Sequence, residues 1–199
     1  MDFRTQSALL AAIVSVALGV SMLLRSQRAR ASSLFAVLCL TVGAWYLGDF
    51  LYAVVGHDLF LRAAIASGAA VPAAALAFFL EFLGVSRRSA RRGRTLAFLG
   101  ASGGLVVAVT PLARLISARI VVAAWVFGSL VVALSLLYRR MRGARSRVER
   151  ARLAYLLAGG AVALLGSSMD VLPRLGISFP ALGPIFAILF LFFLAQTLQ

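Results

Sequence analysis

Seven blocks of apolar residues follow one another down this chain, at roughly 6–24, 34–55, 63–83, 95–112, 120–138, 153–172 and 181–199, with short polar stretches between them. Crossing a hydrocarbon core of roughly 30 Å takes about 20 apolar residues in a helix. Within that core a helix satisfies all its own backbone hydrogen bonds. The blocks are continuous rather than alternating, so they read as helices and not as barrel strands. The pattern predicts an all-α, polytopic membrane protein: one domain over residues 1–199, folded as a bundle of seven transmembrane helices. Composition agrees. The chain is 62% hydrophobic and only 13% charged, with a mean hydropathy of +1.00, whereas a soluble domain carries about 25% charged residues.

The net charge of +14 would suggest nucleic acid if it formed a patch on a soluble fold. Here it falls between apolar blocks, and a nucleic-acid partner is not expected. Every basic side chain is Arg and none is Lys, which suits a GC-rich bacterial genome and a bacterial cytoplasmic membrane. The stretches after blocks 1, 3 and 5 carry Arg25, Arg28 and Arg30; Arg87, Arg88, Arg91, Arg92 and Arg94; and Arg139, Arg140, Arg142, Arg145, Arg147, Arg150 and Arg152. The other side has only Arg4, Arg62, Arg114, Arg119 and Arg174. Cytoplasmic loops collect the Arg excess, so the N-terminus is expected outside and the C-terminus in the cytoplasm. The run 139–152 reads as a topology determinant in contact with anionic lipid, worth about 1 kcal/mol per Arg, and as a candidate docking surface for a cytoplasmic partner. The first block is too long for the apolar part of a signal peptide and reads as a retained helix. The outer loops are each under about ten residues by the same block boundaries, too short for a ligand-binding domain. Any stimulus must be read between helices or from the bilayer itself.

Ionisable groups at membrane depth are costly and are functional candidates by default. Asp49 follows Leu34 by fifteen residues, about 22 Å up an outward-running helix at 1.5 Å per residue. Asp170 reaches a similar depth, about 25 Å beyond Leu153. The two carboxylates, with Trp45, Tyr46, Tyr52, Ser167 and Ser168, form a candidate polar site in the outer third of the bilayer. The blander reading gives each a place near the outer interface, in water or beside Arg62, Arg114 or Arg174. Glu81 sits at the inner end of its helix and reads as an interfacial ion pair near Arg87 and Arg88. Pro72 falls mid-helix, where it removes a backbone hydrogen bond and kinks the chain; it is a candidate hinge or a plain packing kink. Ala69, Ala73 and Ala77, and Gly100 and Gly104, place small residues on one helix face and permit close helix approach. His57 reads as a solvated loop residue, with an outer pH-sensing role as the alternative. Cys39 reads as a buried small residue.

Several chemistries are excluded by missing residues. A retinal Schiff base needs a Lys and a bis-His haem needs two His; the chain has no Lys and one His. An intramembrane serine protease needs a base beside its Ser. There is no HExxH, no P-loop and no Cys/His cluster. No catalytic residue, cofactor or metal is expected. An acid after a basic run recurs in blocks 2 and 6 (Asp49 after Arg30, Asp170 after Arg152), as in transporters built from parallel repeats, but the likeness stops at those residues.

Three segments together resemble a known family. They are "RARASSLFAVLCLTVGAWYLGDFLY" (28–52), "AAIASGAAVPAAALAFFLEFLG" (63–84) and "ERARLAYLLAGGAVALLGSSMDVLPRLGISFPALGP" (149–184). Their basic loop, small-acidic turn, mid-helix Pro, paired Gly and closing Leu-Gly-Pro are similar to the N-terminal seven-transmembrane sensor region of bacterial histidine kinases. That resemblance implies a sensor of a small apolar or amphipathic ligand, or of the bilayer state. Helix 7 would then hand the signal to an output module. No kinase or cyclase motif lies in the 199 residues, so the expected partner is a separate cytoplasmic kinase or cyclase, with a homodimer as a further expectation. A proton-coupled small-solute transporter using the same carboxylates, and a structural membrane partner, are the alternative readings.

Overall fold

The structure, a computed structural model, describes residues 2–25, 30–84, 87–111, 116–144, 146–169 and 182–197. Among them are seven α-helices and no strand: α1 (Phe3–Arg25), α2 (Arg30–Val55), α3 (Asp58–Phe82), α4 (Arg87–Val109), α5 (Ile116–Arg142), α6 (Arg147–Met169) and α7 (Gly183–Thr197). Four contain stretches long and apolar enough to cross a bilayer: Phe3–Leu24, Arg30–Val55, Asp58–Phe82 and Ile120–Arg142. The apolar stretches of α4 and α7, Phe98–Val109 and Gly183–Thr197, are shorter.

The helices run past the apolar blocks at their basic ends. α5 and α6 cover most of what hydropathy marks as the loop 139–152, leaving only residues 143–146 between them. Arg is a good helix former, so helical hydrogen bonding continues where hydropathy stops. Arg139, Arg140 and Arg142 occupy the last turn of α5, where cations favour the helix dipole. Ser146 caps α6, its Oγ accepting from the Val148 N–H at 3.2 Å and the Glu149 N–H at 3.5 Å. With Glu149 three residues on, this is the Ser-x-x-Glu pattern of a capping box. At the opposite end Gly56 terminates α2 at φ 72°, a left-handed conformation that glycine adopts without a Cβ penalty. His57 then caps α3, its Nδ1 accepting from the Leu59 N–H at 3.2 Å; the lone histidine is part of the α2–α3 turn.

Contacts between helix ends fix the arrangement. At the basic end Arg30 of α2 meets Glu81 of α3 at 3.8 Å, Arg140 of α5 meets Glu149 of α6 at 3.5 Å, and the Arg152 guanidinium of α6 lies 5.3 Å from the centre of the Phe82 ring of α3. Glu81 thus forms an ion pair with Arg30, while the side chains of Arg87 and Arg88, beside which the sequence set it, lie outside the described residues. At the other end Arg62 of α3 donates to the carbonyl of Val109, the last residue of α4, at 3.1 Å, satisfying a helix-terminal carbonyl. Consecutive helices therefore alternate in direction. Side by side, α1, α2, α3, α5, α6 and α7 close a ring, with α7 returning to α1, while α4 lies outside it against α3 and touches α5 only slightly.

Lipid is as apolar as Leu, so helix association in a bilayer depends on packing rather than on burial from water. The ring is built accordingly. Gly48 of α2 sits directly on the backbone of Ala64 in α3, and Gly43 of α2 on Ala12 and Val16 of α1. Gly19 of α1 in turn faces Ala36 and Cys39 of α2; Cys39 is a free, fully buried thiol that packs as a small residue. Gly104 of α4 packs over Ala69 of α3, which joins the two small-residue faces that the sequence displays. Toward the basic end the ring interior is filled by Phe35, Phe78, Phe79, Leu137, Leu156 and Leu194, all essentially inaccessible. Phe78 anchors this plug, its ring centroid lying 5.6 Å from Phe35, 5.2 Å from Phe79 and 5.6 Å from Phe82.

Candidate functional site

Above the Phe/Leu plug the ring does not fill. A cavity of about 90 Å³ lies at its centre, walled by Leu38, Val42, Trp45 and Tyr46 of α2; Val71, Ala75 and Phe79 of α3; Val126, Phe127, Leu130, Ala133 and Leu134 of α5; Gly160, Ala163 and Leu164 of α6; and Ala187, Phe190 and Leu191 of α7. Five of the seven helices contribute. Among these lining residues only Trp45 and Tyr46 have a polar atom in the side chain. A void lined in this way stays dry and takes apolar guests; an engineered cavity of about 150 Å³ binds benzene or xenon. At about 90 Å³ this one admits a smaller apolar group, such as the tip of a chain.

The geometry of the wall follows from local sequence. The Trp45 ring stacks on Tyr46 (centroids 5.2 Å apart, 11° between planes) and lies against Gly68 of α3, where a Cβ would come within 3.3 Å of the indole. Gly68 is four residues before Pro72, whose missing N–H leaves the Gly68 carbonyl without its helical donor. One residue on, the Ala69 carbonyl accepts the Trp125 Nε1–H of α5 at 3.4 Å. Trp125 itself fits over Gly100 of α4. A Trp drawn partly into a bundle needs a partner for its N–H, and the Ala69 carbonyl, next to the one that Pro72 leaves without its donor, provides it. Pro72 is wholly buried and α3 continues through it without a break.

The residues singled out by sequence divide at this point. Trp45 and Tyr46 line the cavity. Asp49 and Tyr52 lie farther along α2, one to two turns toward the end opposite the plug; both are half-buried, and neither lines the cavity. Asp49 has an interaction partner, as does Tyr46. Ser168 is exposed on α6 with its Oγ–H donated to the Leu165 carbonyl at 2.7 Å. Asp170 and Arg145 lie outside the described residues, as does the side chain of Ser167. Arg139, Arg140, Arg142, Arg147, Arg150 and Arg152 gather at the α5–α6 junction as exposed side chains. Among the described residues no group of three or more His, Cys, Asp or Glu could hold a metal ion.

Sequence reasoning missed most of the wall. Phe79, Phe127 and Phe190 are three among fourteen Phe residues, and in helices apolar all round nothing marks the inward face. The paired Gly159–Gly160 was the available signal. Gly160 lies under Phe190 and Leu134, and Gly159 under Phe193 and Phe190. Large α7 side chains thus drop into a groove on α6 and leave the space beside them. No protein-family model, no curated protein and no solved structure matches this chain.

Proposed function

We propose that the chain is a membrane-embedded signal-input module, a seven-span bundle of the bacterial cytoplasmic membrane with its N-terminus outside and its basic end in the cytoplasm. The observation that carries this reading is the central cavity. It is shared by five helices, lined without a carboxylate, His or Arg, and placed between the Phe/Leu plug and the level of Asp49. A guest there touches α7 and both helices that end in the Arg cluster, so its occupancy bears on the relative packing of α5, α6 and α7. Such a device works only if the guest binds two packings with different affinity. The apolar lining supports sensing over proton-coupled transport, which needs ionisable groups along its path. The resemblance to histidine-kinase sensor regions supports the same reading, with a cytoplasmic kinase or cyclase as recipient and a homodimer as the assembly. The orientation is supported by the Arg bias together with the alternating helix ends.

The test is a distance measurement in nanodiscs between spin labels at Ser146 and Thr197, comparing wild type with Ala163→Leu, which fills the cavity from within. A shifted distance distribution is expected, and an unchanged one would sink the sensor reading. Proton-coupled solute flux in proteoliposomes, lost in Asp49→Asn and Asp170→Asn, would establish a transporter instead.

A further inference from the structure

A groove adjoins the central cavity. On the flank of the bundle an open groove of about 410 Å³ is lined by Val131, Leu134, Ser135, Tyr138 and Arg139 of α5 and by Leu157 and Leu164 of α6. Leu134 and Leu164 line both the groove and the central cavity. Two leucine side chains are therefore common to the groove on the flank and the cavity in the interior. Leu134 rests against Gly160, where a Cβ would meet its Cδ2 at 2.5 Å; the glycine gives this side chain the room it occupies.

The groove is graded from polar to apolar. Arg139 and Tyr138 stand at its basic end, Ser135 lies a turn deeper, and Leu134 is about 7.5 Å from Arg139 along α5 at 1.5 Å per residue. Val131, Leu157 and Leu164 complete the apolar part. Three of the neighbouring cations are engaged. Arg140 pairs with Glu149, Arg142 lies 5.2 Å from the centre of the Tyr138 ring, and Arg152 lies over Phe82. Among the described residues Arg139 has neither an acidic nor an aromatic partner, and it is the cation that faces the groove. An occupant matched to this lining carries an anion at one end and a slender apolar chain at the other.

We propose that the α5–α6 groove is a lateral binding site for an anionic phospholipid of the adjoining leaflet, with its phosphate at Arg139 and one acyl chain passing between Leu134 and Leu164 into the central cavity. Charge complementarity and the continuity of groove with cavity select this occupant. The size of the cavity agrees: about 90 Å³ suits a chain tip better than a whole ligand. The proposal rests on the cavity being the sensing site only for its consequence, that the stimulus is lipid composition; the binding itself does not depend on signalling.

Brominated lipids test it, because bromine quenches indole fluorescence at short range and Trp45 lines the cavity. The full chain with Trp125→Phe would be placed in nanodiscs of phosphatidylcholine doped with phosphatidylglycerol or with phosphatidylcholine, either one brominated near the chain end. Brominated phosphatidylglycerol is expected to quench Trp45 at about fivefold lower mole fraction, the ratio corresponding to roughly 1 kcal/mol per Arg near an anionic lipid. Arg139→Gln should abolish that preference. Equal quenching by both lipids, or a preference that survives Arg139→Gln, would overturn the proposal. So would quenching by a brominated fatty acid without quenching by phosphatidylglycerol, which would identify a free amphiphile as the guest. If Trp125→Phe does not fold, the difference between wild type and Trp45→Phe isolates the same signal. These outcomes are independent of the Ser146–Thr197 distance, so a failed lipid site and a failed sensor remain distinguishable.

Discussion

Glycine is used in opposite ways on the two sides of this bundle. On the α1–α2–α3 side it brings backbones together: a Cβ at Gly48 would lie 2.9 Å from the Ala64 amide nitrogen and 3.0 Å from its Cα, and one at Gly19 would lie 3.2 Å from the Ala36 carbonyl oxygen. On the α6–α7 side glycine receives large side chains. Phe190 and Phe193 lie over Gly159 and Gly160, and Phe186 lies over Gly166. The first arrangement permits one packing, because neither backbone can yield without moving its helix. The second leaves rings that can turn, and Phe190, one of those rings, lines the central cavity together with residues of α2, α3, α5 and α6. Backbone contact and side-chain contact are thus separated within one ring, which divides it into a half expected to be fixed and a half expected to adapt.

The largest expected effect breaks the rigid half. Gly48→Ala forces α2 and α3 apart at a backbone contact and should cost about 2 kcal/mol, in the range of overpacking substitutions, read as a lowered unfolding midpoint in mixed micelles. A wild-type midpoint would mean that α2 and α3 are not so close. Next comes the responsive half: Ala163→Leu projects into the cavity and should raise stability by about 1 kcal/mol, a usual gain for filling a void. A loss of stability would show that the space is already occupied by packed atoms.

Between the halves stands Trp125, which ties α5 to α3 through the Ala69 carbonyl. Hydrogen bonds between membrane helices average about 0.6 kcal/mol, so Trp125→Phe, which keeps most of the ring and removes the N–H, should cost about that much in the same measurement. A change several times larger would place the ring's packing over Gly100, rather than its hydrogen bond, at the centre of the α3–α4–α5 junction.

How far these features could be read from sequence depends on which force sets them. Apolar blocks overlap all seven helices, but only four of these carry a stretch long and apolar enough to cross a membrane. They failed at the basic ends, where α4 begins at Arg87 rather than near 95 and α6 at Arg147 rather than near 153; helix propensity and the Ser146 cap govern there, and hydropathy is blind to both. Trp45 and Tyr46 were legible as walls because aromatic rings beside an acid stand out in an apolar helix. The rest of the cavity was not. In α7, where nearly every residue is apolar, Phe190 faces inward and Phe192 outward to about half exposure, and only the packed neighbours decide which. The partner of Glu81 was likewise hidden, since Arg30 is fifty-one positions away and reaches it only once α2 and α3 lie side by side.

The smallest expected effect tests the comparison most directly, because it repeats the largest one in another place. A Cβ at Gly159 would meet only Phe193 at 3.6 Å and Phe190 at 3.7 Å, which is ordinary van der Waals contact with rings that can shift. Nothing there opposes the helix preference for Ala over Gly, worth about 0.8–1.0 kcal/mol in a helix interior, and part of that gain is offset by restricting the rings. Gly159→Ala should therefore raise stability by about 0.5 kcal/mol, opposite in sign to Gly48→Ala. If both substitutions destabilise alike in the same micelles, α6 and α7 are as close as α2 and α3, and the division into a fixed and a responsive half fails. If they differ in sign, the same methyl group has separated a backbone contact from a side-chain one, and the adaptable seam lies between α6 and α7, both of which border the cavity.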